Sequence, residues 1–171
     1  MPVGPHRARR GCSGHPGREP SRWVTRERPK IDRIACPWLV RRFVDPLAEF
    51  HYVPADRVPA EAEALHAIPY DVPRVQLSHR GEQCTFDAML ADFALTEPAL
   101  AALATIVRGA DTARLDLAPQ SPGLLAMSLG LSVLYPNDHE MLEQGMNMYD
   151  ALYAWLRSAR DERHDAKLFD K

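Results

Sequence analysis

The chain has 171 residues, 46% of them hydrophobic, and a formal net charge of −2, which suits a single domain long enough to bury a core. Residues 1–22 hold five arginines (Arg7, Arg9, Arg10, Arg18, Arg22) against one acid, Glu19, leaving 16 basic and 22 acidic side chains for the remainder. An acidic body is a poor general nucleic-acid surface, because phosphate neutralisation drives that binding, and no apolar run is long enough to span a bilayer.

Residues 1–22 are rich in Gly, Pro, Arg and Ser without hydrophobic periodicity, so a disordered basic arm is expected, with the domain over 23–160. Trp23-Val24-Thr25 reads as a short strand. From Lys30 to Phe43 the apolar residues Ile31, Ile34, Ala35, Trp38, Leu39 and Phe43 fall on one helix face, but Pro37 interrupts the pattern. Either Asp32 caps a kinked helix, or Pro37 is the first helical residue with Cys36 at the cap. Glu49–Val53 reads as a second strand, closed by Pro54, and a short helix should cover Ala60 to Ala67. A third strand is expected at Val75–Ser78.

Thr85 can cap a helix over Phe86–Phe93, with Asp87 in its favourable first turn. Pro98 opens a helix to Val107 that Gly109 should stop. Ser121-Pro122 is a start signal for a helix (Leu124, Leu125, Met127, Leu129, Leu131, Val133) that is apolar on most faces and reads as buried. Asn137 and Glu140 resemble a capping box opening the longest helix, with Leu142, Met146, Tyr149, Leu152, Tyr153 and Leu156 facing the core. From 161 to 171 the chain is charged and should fray. The fold class is α+β, a mostly helical single domain with a small sheet of about three strands.

Two side-chain sets could carry chemistry. His79 and Cys84 flank Gly81 in a turn, and imidazole with thiolate suits zinc or another divalent metal, with Asp111 as third ligand and Asp32, Asp150 or Tyr149 as further contributors. The plainer alternative is a backbone-bonded histidine beside a packed cysteine. The second set is Arg33, Arg41, Arg80 and Arg108, with Arg42 beside them. If Cys36 caps a helix at Pro37, its thiol joins them at a positive helix end that lowers a thiol pKa and attracts oxyanions. Its alternatives are a solvated basic edge and a small packed cysteine. Cys12, Cys36 and Cys84 make no disulfide framework and no CxxC pair, consistent with reduced thiols in the cytoplasm. There is no GxSxG elbow, Gly-rich phosphate loop or HExxH.

Four runs in order resemble the C-terminal domain of the chromate resistance protein family ChrB: Lys30–Phe43, Ser78-His79-Arg80-Gly81-Glu82-Gln83-Cys84-Thr85-Phe86-Asp87, Arg108-Gly109-Ala110-Asp111-Thr112 and Gly145–Trp155. The resemblance implies a role in bacterial chromate resistance, as a sensor or accessory factor whose partner is chromate or a related oxyanion. A thiol- or metal-dependent redox enzyme and a chromate-responsive transcription regulator are the alternatives. Longer relatives carry an N-terminal region that could bind DNA, so nucleic-acid binding by this domain alone is not expected.

Overall fold

The middle of the sheet is β1 (Arg22–Arg26), in which Trp23, Val24 and Thr25 are all buried. Burial on both faces is what a central parallel strand requires. A computed structural model describes residues 19–158 and 160–161, so the expectations for residues 1–18 and 162–171 lie outside the described residues. Strands β2 (Glu49–Val53) and β3 (Ile68–Pro69) flank β1, both parallel to it, with Trp23 opposite Phe50 on one side and Ile68 on the other. Parallel pairing demands crossovers. Helix α1 (Asp32–Leu39) makes the first and α2 (Val58–Leu65) the second.

Two boundaries differ from expectation here. Ser21 and Arg22 belong to the fold, since the Ser21 N–H donates to Asp45 at 2.8 Å and Arg22 pairs with Glu49. The third strand is Ile68–Pro69 rather than Val75–Ser78. Asp71 and Arg74, with φ of 50° and 68°, turn the chain out of extended geometry, and Leu77 keeps a single bridge to Tyr70.

Pro37 lies inside α1. Its missing N–H leaves the Arg33 carbonyl, one turn back, without a helical donor. The hydroxyls of Tyr52 and Tyr70 donate to that carbonyl at 3.3 and 3.4 Å, so the helix break is filled from the sheet. Beyond Leu39 the backbone widens into a π turn over Val40–Val44. Cys36 is therefore a mid-helix residue and fully buried, and the geometry with Cys36 capping a helix at Pro37 does not occur. Ile31, with φ of 42°, precedes the helix, and Asp32 is its first residue.

Helix α3 covers Thr85–Asp92 with Cys84 at the cap position, and the Asp87 carboxylate accepts the Cys84 N–H at 3.0 Å. Helix α4 (Pro98–Asp111) runs through Gly109. The Ser121 hydroxyl packs where a Cβ on Gly109 would stand, so this glycine marks a close approach instead of a stop. Helix α5 (Ser121–Leu134) meets its expected burial in part: Leu124 is buried and Leu125 and Leu131 pack against the core, but the other three named residues face outward. Ser121, Ser128 and Ser132 are buried, while Met127, Leu129 and Val133 are 57%, 44% and 80% exposed. Helix α6 (Asp138–Ser158) starts as expected, the Asn137 side chain accepting the His139 and Glu140 N–H groups. It lays Leu142, Met146 and Tyr149 into the core around Trp38 and Phe86.

Candidate metal centre

Four chain segments bring three acidic groups and a histidine to one point beyond the carboxyl ends of β1 and β3, the side on which open parallel sheets hold ligands. Asp32 opens α1 after β1, Asp71 follows β3, and Asp111 ends α4. His79 comes from the loop before α3. Its Nε2 lies 3.1 Å from Asp111 Oδ2, 3.5 Å from Asp71 Oδ1 and 3.7 Å from Asp32 Oδ2. One ligand atom each from Asp32, His79 and Asp111 falls within 4.8 Å of the other two. Ligands held at about 2.0–2.2 Å around one divalent ion stand roughly 3–4 Å apart, the range of the three contacts of His79 Nε2.

Each group is held by its surroundings. Asp32 is completely buried, and its carboxylate accepts the backbone N–H groups of Thr85 (2.6 Å) and Phe86 (3.2 Å) at the start of α3. Burial, then repulsion from Asp111 and Asp71, pushes its pKa well above the ordinary carboxyl value. Asp111 is raised likewise, by burial and by Asp71. For Asp71 burial acts upward but is outweighed by hydrogen bonds from His79 and from the Thr85 hydroxyl (2.9 Å) and by Arg33, leaving it below its usual range. The hydrogen bond to Asp71, with the field of Asp32 and Asp111, lifts His79 to about 9. The imidazole thus stands beside three carboxylates, of which Asp71 also faces Arg26 and Arg33, each at 3.4 Å. The His79 side chain is 41% exposed, giving the cluster one face to solvent.

The structure brings His79 and Asp111 together as expected and places Cys84 outside the convergent group. The Cys84 thiol is buried and donates to Asp87 Oδ2 at 3.3 Å, and Asp32 occupies the third position. Asp150 and Tyr149 are engaged elsewhere: Asp150 binds Trp38 and Arg42, and the Tyr149 hydroxyl donates to the Ile31 carbonyl. The expected oxyanion residues are each paired with carboxylates of this chain. Arg33 lies against Asp71 (3.4 Å), Arg41 against Glu143 (2.9 Å), Arg80 against Asp92 (2.7 Å) and Arg108 against Asp87 (2.9 Å). The Cys36 thiol faces Asp32 Oδ1 at 3.9 Å, and burial followed by the Asp32 charge pushes it up, opposite to an activated thiol.

A family model described as the C-terminal domain of ChrB matches residues 23–156. The chain belongs to the ChrB family. It is 32% identical over 166 residues to Protein ChrB of Cupriavidus metallidurans, an alignment covering 93% of this chain and 48% of that protein. The chain therefore spans about half the length of this relative. No solved structure matches. The span shared with ChrB contains Asp32, Asp71, His79 and Asp111.

Sequence reasoning missed Asp71. The signal was there: an aspartate just past a short apolar run is where a parallel strand delivers a side chain to a switch-point crevice. Taking Val75–Ser78 as the strand put Asp71 before it.

Proposed function

We propose that this ChrB-family domain is a divalent-metal-binding module serving chromate resistance, with His79, Asp32 and Asp111 as ligands and Asp71 beside them. The observation that carries this reading is the fully buried Asp32 carboxylate, whose ion-pair partner is a half-exposed imidazole 3.7 Å away while two more carboxylates crowd it. A buried charge of that kind is stabilised by a cation at the point where the ligand atoms converge.

One imidazole with two carboxylates is a borderline-to-hard donor set, which suits zinc, iron(II) or manganese(II). An ion held there would face solvent on the side opened by His79, and its positive charge would attract an anionic ligand such as a chromate-like oxyanion. This route to an oxyanion needs no arginine to leave its carboxylate. A thiol redox role is less favoured, because Cys36 and Cys84 are both buried and both held as thiols, their pKa raised by burial first.

The test is elemental analysis of protein purified without chelator, followed by reloading of stripped protein with zinc, manganese or iron(II). Near-stoichiometric metal is expected, lost in His79→Ala and Asp32→Asn and retained in Cys84→Ala. Stripped protein whose melting temperature is indifferent to all three ions would sink the reading.

A further inference from the structure

The turn between β1 and α1 is strained at two points. Arg28 and Ile31 have φ of 55° and 42°, a region that residues other than glycine seldom enter and that a β-branched side chain disfavours most. Ile31 combines this with ψ of −99°, which lies outside the left-handed helical well as well. Backbone of this kind persists only where its surroundings over-determine it.

Helices α5 and α6 and the link between them supply those surroundings. Ser128 Oγ accepts the Ile31 N–H at 3.0 Å, and the Tyr149 hydroxyl donates to the Ile31 carbonyl at 3.1 Å. The Arg28 N–H donates to the Asp138 carboxylate at 3.2 Å, and its guanidinium donates to the Ser132 and Pro136 carbonyls, each at 2.6 Å. Every one of these partners lies between 97 and 118 positions away, so the shape of the turn is imposed from outside it. The Ile31 carbonyl also accepts the Ala35 N–H at 2.8 Å. Holding Ile31 therefore sets the first turn of α1, and with it the direction in which Asp32 leaves the chain. An acid in the first turn of a helix commonly serves the free N–H groups of its own helix. The Asp32 carboxylate is instead fully buried and reaches the start of α3 and His79.

We infer that this clamped turn is a positioning device: Arg28, Ser128 and Tyr149 hold Ile31 in a conformation it would otherwise leave, and so aim the Asp32 carboxylate at His79 and Asp111. The inference rests on the metal-binding reading of that centre and adds to it three positioning residues, none of them a ligand. Ser128 and Ser132, two of the buried serines of α5, thereby act on the centre as well as on the packing of their own helix.

The test separates metal affinity from stability in the full chain. Stripped wild type and variants are titrated by calorimetry with whichever of zinc, manganese(II) and iron(II) the wild type binds, well below each melting temperature, so that only folded protein is measured. Tyr149→Phe and Ser128→Ala should each weaken binding about tenfold, the usual effect of losing a group that orients a ligand. Arg28→Ala, at an exposed residue, leaves the core intact and should act in the same direction. Ser121→Ala is the matched control. It removes another buried hydroxyl of α5, one that donates to the Ile106 carbonyl, so it should lower the melting temperature and leave the affinity unchanged. If the three clamp variants lose melting temperature but keep wild-type affinity, the turn serves folding alone and the inference falls while the metal reading stands. A wild type that binds none of the three ions overturns both.

Discussion

Asp32 and Thr85 stand 53 positions apart, yet the Thr85 N–H donates to the Asp32 carboxylate at 2.6 Å, and Phe86 adds a second bond at 3.2 Å. The first residue of α1 thereby fills the role of a cap for α3, satisfying N–H groups that a helix start leaves free. The same carboxylate faces His79 and Asp111. On the proposed reading, helix capping and metal ligation are thus combined in one side chain.

That combination separates two substitutions. Asp32→Ala removes the acceptor and should destabilise by about 2–4 kcal/mol, since two buried N–H groups lose their partner. Asp32→Asn keeps an acceptor and removes a charge repelled by Asp71 and Asp111, so metal-free stability should stay within about 1 kcal/mol of wild type. Denaturant melts with and without metal distinguish the two: only Asp32→Asn should fold normally while ignoring added metal.

His79 is raised to about 9 from an ordinary value near 6.5. A raised pKa means that the folded state holds the proton more tightly, so this stabilisation is fully present below about 6.5 and lost as pH rises through 9. Asp32 and Asp111, also raised, act in the same direction. Metal-free protein should therefore lose melting temperature between pH 6.5 and 9. Metal must displace the imidazole proton, so its affinity should rise over that interval. Calorimetry in buffers of different ionisation enthalpy should show proton release on binding at pH 7, and its absence would count against His79 as a ligand.

Cys36 is buried in mid-helix beside Trp38 and Leu39. Alkylation in native protein should be slow, indifferent to chromate or sulfate, and rapid after unfolding. Cys36→Ser should destabilise by about 1–3 kcal/mol through an added buried hydroxyl. Fast labelling that sulfate slows would restore the anion-site reading.

Gly145 sits where α6 crosses α1, and a Cβ there would run into the Ile34 side chain. Gly145→Ala should destabilise by about 1–3 kcal/mol despite alanine's better helix propensity. Gly145→Ala combined with Ile34→Ala, which removes the Cγ2 atom that the new Cβ would strike, should cost less than the two single substitutions together, a coupling readable in a double-mutant cycle.

Deletion of residues 1–18, which carry the Gly/Pro/Arg-rich composition, should leave the melting temperature unchanged. Deletion through Arg22 should lower it by several degrees, because Ser21 anchors to Asp45 and Arg22 begins the central strand.

Most of the helices were legible because each has a local cause: Pro98 at the first turn of α4, Asn137 ahead of α6, the apolar spacing of α1. What was not legible depends on contacts distant in sequence. Gly109 reads as a stop until Ser121 is packed against it. Leu124 of α5 is buried as its apolar character suggests, but Met127, Leu129 and Val133 read as buried too, because hydrophobicity alone cannot reveal that three serines have partners in α4 and in the turn before α1. Within the centre, His79 and Asp111 were visible as a histidine in a turn and an acid near a helix end. Cys84 drew attention as a soft ligand, whereas Asp32 was visible only as one of three further contributors, because it lies in the helix read as a thiol site.

Pro37 gives α1 a function that a better helix former would remove. By withholding one N–H it leaves the Arg33 carbonyl for the hydroxyls of Tyr52, in β2, and Tyr70, just past β3. A local defect in the helix is thereby turned into a mortise joint between helix and sheet, one residue from Asp32. Pro37→Ala would close the helical ladder and displace both tyrosines, so that a gain in helix content would come with a loosened floor beneath the Asp32 carboxylate.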